Sequence, residues 1–555
     1  MFAGKQKHTL LIAIATVIAL LLCVVAYIVG LNQGAKRMGG TYSLRKVSNA
    51  LHLIDKHYVD KVDMDSLIGE IVPQLMADLD PHSNYLTPQQ LEDEQQSMQG
   101  TFFGIGVTFN TLIDTLVVVG VTPRGPSDLV GIKAGDRILR ADGTPLLGST
   151  MSSDSIMMYL RGPDKSKVVL DIYRPSTQES FPIEVIRGEV SARQTSAVYM
   201  VNDSLGCIAI PQFTMGVYED FMKGYAELLA QGLKGLVIDL RGNPGGLLHV
   251  ALALTNEFLP RGQMIIYTEG EHSPKNPFES DGTGAIQHIP LYVLIDGASA
   301  SSSEIVSGAL QDNDRAIIIG RRSFGKGLVQ KPYVFYDGSA IHLTIARYYT
   351  PSGRCIQRPY QLGEGEYYYM QDWESRAASG ELFHADSIHN LSPQVYYTKG
   401  GRKVYGGGGI IPDVFIPVDT LGYTTYLNEV LHKGLLSKYA FVYSDTHRQL
   451  LQELGSPAAC YSFLKNQGLV WQFAQWAHSR GVRNKNYLVY VSHDKMFGIL
   501  SQIIIQQIYG DDAAAKVESL TDLMVIKAAE LFANGVISPL QLPANEVTPP
   551  EEKRA

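Results

Sequence analysis

Apolar residues fall at three- and four-residue spacing from Tyr42 to about Met98: Val47, Ala50, Leu51 and Ile54, then Leu67, Ile68, Ile71 and Leu75. That period predicts amphipathic helices. Asp80-Pro81-His82-Ser83 reads as a turn, and Thr87-Pro88 opens a further helix with Thr87 as N-cap. From Gly100 to about Gly188 the texture changes to short β-branched runs split by glycine turns. Thr115–Val121, Val168–Tyr173 and Phe181–Ile186 are strand candidates, and Ala141-Asp142-Gly143 is a hairpin turn. From Val190 to about Val418 apolar runs alternate with helical stretches. Strands are expected at Leu205–Ile210, Gly235–Leu240, Pro290–Ile295 and Arg315–Ile319, and helices at Tyr218–Gln231, Leu247–Phe258 and Ser303–Gln311. Such alternation predicts an α/β core with mostly parallel strands. From about Tyr423 to Leu542 the pattern is helical again, and Pro543 to Ala555 is a polar, proline-containing tail expected to be disordered.

One run stands outside these patterns. Thr9–Val29 carries no charge over 21 residues. As a helix it would be about 31 Å long, the thickness of a bilayer's hydrocarbon core. It is longer than the apolar region of a secretory signal, and its one small-residue cleavage site, Val24-Val25-Ala26, lies inside it. The expected reading is an uncleaved membrane anchor. Lys5 and Lys7 precede it while Lys36, Arg37, Arg45 and Lys46 follow, so the flanking charges do not orient it.

Composition adds mainly exclusions. With 45% hydrophobic and 18% charged residues the chain is globular. Its net charge of −8 gives no electrostatic reason to seek nucleic acid. Four cysteines among 555 residues, with no C-x-x-C pair, exclude a disulfide scaffold and argue against a zinc ribbon. Cys207, Cys355 and Cys460 are expected to be unpaired.

Three stretches of the α/β region could carry chemistry. Asp239-Leu240-Arg241-Gly242-Asn243-Pro244-Gly245-Gly246 ends an apolar strand. Gly297-Ala298-Ser299-Ala300-Ser301-Ser302-Ser303-Glu304 lies between strand and helix. There a serine either caps the helix or exposes a nucleophilic hydroxyl, and Glu304 reads as an acid at the helix N-terminus. Gly320-Arg321-Arg322-Ser323-Phe324-Gly325-Lys326-Gly327 approximates a phosphate-binding P-loop. Its Mg²⁺-binding hydroxyl position is Gly327, however, and the β-like Leu328–Val334 follows where a helix should start. Asp239 and Arg241 read as a structural ion pair.

Ser299–Glu304 and Phe324–Gln330 together resemble the two signatures of the carboxyl-terminal processing proteases, also called tail-specific proteases. Asp239–Gly246 is similar to that family's turn before the oxyanion hole, Asp80–Ser83 and Gly409-Ile410-Ile411-Pro412-Asp413 to its flanking motifs, and Phe103-Gly104-Ile105-Gly106-Val107 with Ala134-Gly135-Asp136 to its PDZ domain. The resemblance covers roughly residues 45–420. It implies Ser301 as nucleophile, Lys326 as general base, Gln330 as the residue orienting the lysine, and the amides of Gly246 and Ser302 as oxyanion hole. Ser302 stands where the family often has alanine. Desolvation beside Phe324, Leu328 and Val329 would lower the Lys326 pKa enough to make it a base. A Ser-His-Asp triad using His249 or His342 is the rival.

The resemblance further implies capture of a protein's apolar C-terminus by Phe103, Gly104, Ile105 and Gly106, with Arg161 where some members link the PDZ domain to the active site. No cofactor or metal is expected. The fold class expected is α+β multidomain: an N-terminal transmembrane helix (1–40), a helical segment (41–98), a PDZ-like β domain (99–189), an α/β serine protease core (190–422), a helical C-terminal domain (423–542) and a disordered tail (543–555). The helical C-terminal domain is a candidate for self-association or for docking an adaptor. The expected setting is a bacterial inner membrane, anchored through Thr9–Val29, with the soluble domains in the periplasm. The expected function is a Ser-Lys endopeptidase acting on proteins recognised by their C-terminal tails. The alternative is a degenerate PDZ-containing scaffold that only binds such tails.

Overall fold

The computed structural model describes residues 42–543, apart from 112–115, 147–150, 192, 364, 366, 389–391 and 393. The chain divides into two units at Leu75. The first holds the helix Tyr42–His57 and the start of Met64–Ala77, neither contributing a residue to the buried core. All further elements belong to the second.

The expected fold class needs one correction. Among the described residues no helix is long and apolar enough to cross a membrane, so the transmembrane helix is unsupported. The run Thr9–Val29 to which it was assigned lies outside the described residues.

The second unit opens with the helix Pro88–Gln99. Thr87 caps it as the sequence predicts: its Oγ1 accepts the Gln90 N–H at 3.3 Å and Gln90 Oε1 accepts the Thr87 N–H at 3.0 Å. A β domain follows. Its antiparallel sheet runs in the order Val107–Asn110, Leu116–Val121, Arg137–Ala141, Lys167–Arg174, Glu179–Ile186. Val107–Asn110 is an edge strand. Ile156 and Leu160 of the helix Ser153–Leu160 pack into the domain's own core with Ile105, Leu116 and Val168. Thr101–Gly104 pairs separately with Gly188–Ser191.

The α/β core carries a six-stranded sheet in the order Ala197–Met200, Leu205–Ala209, Gly235–Asp239, Leu291–Ile295, Ile317–Gly320, Val414–Phe415. The first pair is antiparallel and the rest are parallel. These strands are buried on both faces, which is why they read as continuous apolar runs. Helices Val217–Ala230, Leu248–Asn256 and Ser302–Asp312 cover one face through Phe221, Leu254, Val306 and Leu310. The helix Leu523–Ala533 covers the other, packing Met524, Val525, Ala528 and Leu531 on Tyr292, Ile317 and Ile319. The helices between Thr425 and Glu518 bury a separate core around Leu436, Phe473, Leu500 and Ile504.

A second, antiparallel sheet packs on the helix Ser302–Asp312. It comprises Asn84–Leu86, Ala340–Tyr349, Met264–Gly270 and Ser273–Glu279, with Leu328–Val334 also paired to Ala340–Tyr349. Ser302–Asp312 is therefore buried along its whole length. Its polar groups are answered inside the protein: Ser303 Oγ donates to Asn243 O at 3.0 Å, Gln311 Nε2 to Asp413 Oδ1 at 2.9 Å, and Arg354 Nη2 to Asp312 Oδ1 at 2.7 Å.

Candidate active site

Ser301 sits at the turn from Ile295 into the helix Ser302–Asp312, with φ +51°. A serine pays strain for this left-handed conformation, and such strain persists only where surrounding contacts impose it. The constraint is the Glu304 carboxylate, which is fully buried. Its Oε2 accepts the Ser301 N–H at 2.8 Å and the Lys326 N–H at 2.9 Å. Its Oε1 accepts Ser323 Oγ at 2.5 Å and the Gly325 N–H at 2.7 Å. Burial raises the Glu304 pKa, against the pull of these four donors. Glu304 is thus far more than a helix-terminal acid. The Gly325 and Lys326 amides that would face a phosphate in a P-loop face this carboxylate instead.

Tyr348 adds a second tie: its hydroxyl lies 2.8 Å from Lys326 O and 3.1 Å from Ser301 O. Behind the Lys326 loop, the helix Tyr367–Ser379 contributes Arg376, which donates to Arg322 O at 2.7 Å and Ser323 O at 2.8 Å. Arg322 in turn forms a buried two-pronged pair with Glu381 at 2.7 and 2.8 Å. None of these supports was anticipated from the sequence. A serine, an acid and a tyrosine carry no signal of their own until the fold brings them to one place.

The Lys326 amine donates to Gln330 Oε1 at 2.9 Å. Desolvation lowers its pKa, while the negative charges of Asp80, Glu304 and Glu94 oppose the shift. Gly245 and Gly246 lie against the Ser301 turn with φ +106° and +137°. A Cβ on Gly246 would meet Phe213 O at 2.3 Å, and one on Gly245 would meet Ser301 Cβ at 2.7 Å. Only glycine fits either place. Ser302 is the first residue of its helix, where an N–H has no intrahelical partner. Its hydroxyl donates to Gly246 O at 2.9 Å, joining the two loops. Ser301, Ser302, Gly246, Lys326 and Gln330 line one cleft of about 540 Å³, roofed by Leu91 and Met98 of the helix Pro88–Gln99.

The rival histidines fare differently. His249 is exposed and does not line the cleft. His342 lines it, with Nδ1 3.8 Å from Glu94 Oε1. Asp239 and Arg241 do form an ion pair, at 2.6 Å, and Arg241 also binds Asp522 at 2.6 Å. Cys207, Cys355 and Cys460 are free.

The residues assigned to tail capture lie away from this cleft. Phe103 is exposed, Gly104 and Ile105 are buried, and Gly106 adopts φ +72°. Ile105 O accepts from Ser127 N at 3.0 Å and Gly106 O from Thr122 N at 2.9 Å, which fixes the loop at the start of the edge strand Val107–Asn110. Arg161 ends the helix Ser153–Leu160, its guanidinium 4.7 Å over the Phe102 ring. It lines a different cavity, of about 820 Å³.

Known proteins match parts of this chain. Residues 204–361 match peptidase family S41, residues 104–185 match the PDZ domain, and residues 426–510 match a family of unknown function. A carboxy-terminal-processing protease of Bartonella bacilliformis is 33% identical over 318 residues, 57% of this chain and 72% of that protein. A carboxy-terminal processing protease of Bacillus subtilis is 31% identical over 57% of this chain and 66% of its own. Among solved structures, the photosystem II D1 C-terminal processing protease is 26% identical and covers 56% of this chain and 89% of its own, with a TM-score of 0.32. The family matches and the curated relatives define a serine peptidase with a PDZ domain. The chain belongs to peptidase family S41, among the carboxy-terminal processing proteases.

Proposed function

We propose that this peptidase works through a Ser301–Lys326 dyad and takes hold of its protein substrates by their C-terminal tails. One observation carries the dyad: a partly buried, desolvated lysine amine, hydrogen-bonded to Gln330, opens onto the same cleft as the strained Ser301 turn. Neutral Lys326 removes the Ser301 Oγ proton as Oγ attacks the scissile carbonyl carbon. The N–H groups of Gly246 and Ser302 receive the tetrahedral oxyanion. The ammonium returns its proton to the leaving amine, giving an acyl-enzyme and a new N-terminus. Water then attacks the ester with Lys326 again as base, releasing the carboxylic acid and regenerating Ser301.

Ser301→Ala and Lys326→Ala each lower kcat by about 10² or more on an unfolded protein substrate, while His342→Ala and His249→Ala stay near normal. Full activity in Lys326→Ala with loss in His342→Ala would favour the histidine mechanism. An intact tail affinity with no hydrolysis by the wild type would favour the scaffold.

Tail capture is supported by the open edge of Val107–Asn110 beside the helix Ser153–Leu160, which suits addition of a peptide strand. Its carboxylate would meet the Phe103–Gly106 loop. Amidating the C-terminus of an otherwise identical substrate then raises KM by roughly tenfold or more, the worth of a charge-assisted hydrogen bond. Equal KM values for acid and amide would refute this part alone.

A further inference from the structure

The Gln330 amide is held at both ends. Its Oε1 accepts from Lys326 Nζ, and its Nε2 donates to the backbone carbonyl of His82. A carbonyl oxygen only accepts, so it dictates which end of the amide faces the lysine. That carbonyl belongs to a tightly clipped turn. Asp80 Oδ1 accepts the N–H groups of His82 and Ser83, both at 2.8 Å, and Asp80 Oδ2 accepts Ser83 Oγ at 2.7 Å. Ser83 Oγ also accepts the Thr344 N–H at 3.1 Å, and Asn84–Leu86 continues as a strand paired with Ala340–His342.

The His82 ring is buried edge-on to Tyr368 and Phe324, at centroid distances of 5.3 and 6.5 Å, with Nδ1 2.9 Å from the Tyr369 hydroxyl. Burial, and then the Lys326 charge, push its pKa down to about 4. The ring is therefore neutral at ordinary pH, and it packs against the residue that leads into Gly325-Lys326.

We propose that the Asp80–Ser83 turn is a positioning element of catalysis: by presenting the His82 carbonyl to Gln330, it keeps Gln330 Oε1 on the Lys326 amine. The inference rests on the dyad reading. A neutral amine has two N–H groups and one lone pair. With an N–H committed to Gln330 Oε1, the lone pair stays available for the Ser301 proton. A flipped amide would put Nε2–H against the amine and consume that lone pair.

The test uses the full chain and a peptide substrate. Ser83→Ala removes one of the two links between Asp80 and the Thr344 strand, the other being Thr344 Oγ1 donating to Asp80 Oδ1 at 3.3 Å, and it leaves every charge facing Lys326 in place: Asp80, Glu304 and Glu94, with the neutral His82. Expected is a fall in kcat of about tenfold or more with KM held within about twofold. The acid limb of the kcat–pH profile moves to lower pH, because a flipped amide no longer stabilises the ammonium. A merely structural role would lower the folded fraction and leave the limb where it was. Wild-type kcat with a wild-type limb overturns the proposal. So does a fall in kcat that matches a fall in folded protein with the limb unmoved. Should Ser83→Ala not fold, Asp80→Asn replaces it, and an unchanged kcat there overturns the proposal equally. Lys326→Ala runs alongside: activity retained in that variant strikes the dyad itself, whatever Ser83→Ala does.

Discussion

Ser301 and Lys326 donate their backbone N–H groups to the same oxygen, Glu304 Oε2, at 2.8 and 2.9 Å. One buried carboxylate therefore sets the spacing of the two loops that the proposed mechanism needs together. Glu304→Gln keeps the shape but turns one acceptor into a donor, facing a backbone N–H or the Ser323 hydroxyl. The expected cost is about 2–4 kcal/mol of stability, from broken bonds to a buried charged group. kcat falls with it, even at temperatures where the variant is fully folded. Urea unfolding beside peptide hydrolysis measures both. Wild-type stability in Glu304→Gln would mean that the carboxylate is not the anchor.

The lowered Lys326 pKa gives activity a direction in pH. The base of the proposed dyad must be neutral, so kcat/KM is expected to rise with pH through the depressed pKa and to level above it. Glu94 is one of the anions that hold this pKa up. Glu94→Gln removes that support, and the acid limb moves to lower pH. Rate profiles of the two proteins decide it; a limb displaced to higher pH contradicts the sign.

The same burial has a stability signature. Lys326 has a lower pKa folded than unfolded. Between those two values the unfolded chain binds the extra proton, so this residue makes stability rise with pH there. Below the folded pKa the native protein must hold a desolvated ammonium. Lys326→Met has no such group. Its stability relative to wild type is expected to be most favourable at the acid end, and the advantage narrows as pH rises. Denaturant midpoints across the pH range measure it, and a difference that stays constant with pH would exclude a desolvated lysine.

Much of this architecture was legible because the parallel strands, buried on both faces, are unbroken apolar runs such as Leu291–Ile295. The roles proposed for Ser301, Lys326, Gln330 and Gly246 come from resemblance, since a serine in a turn and a lysine in a loop carry no signal alone. The hairpin Met264–Gly270 to Ser273–Glu279 stayed hidden, because its second strand is an exposed edge containing Pro274 and Pro277. Asn84–Leu86 is too short to show a period. Glu304 does lie in the first turn of its helix, as the sequence indicates, but its burial is not legible there. A helix-terminal acid is ordinarily a surface residue, and only packing of the second sheet over the helix makes this one an internal anchor.

Gly246 and Ser302 offer the sharpest contrast in the site. Both are proposed to supply an N–H to the oxyanion, yet they should respond oppositely to alanine. In Gly246→Ala the new Cβ would lie 2.3 Å from Phe213 O, on backbone already at φ +137°. The loop must move, and the donor moves with it; kcat is expected to fall by about 10²–10³, the usual cost of losing one oxyanion donor. Ser302→Ala keeps its N–H at the first position of the helix. It loses only the 2.9 Å bond from its hydroxyl to Gly246 O, worth about 1 kcal/mol of stability. Its kcat should stay within several-fold of wild type. Single-turnover acylation rates on one peptide, with thermal unfolding of both variants, make the comparison. A Ser302→Ala enzyme as impaired as Gly246→Ala would show that the hydroxyl, and not the amide, is what the site requires at that position.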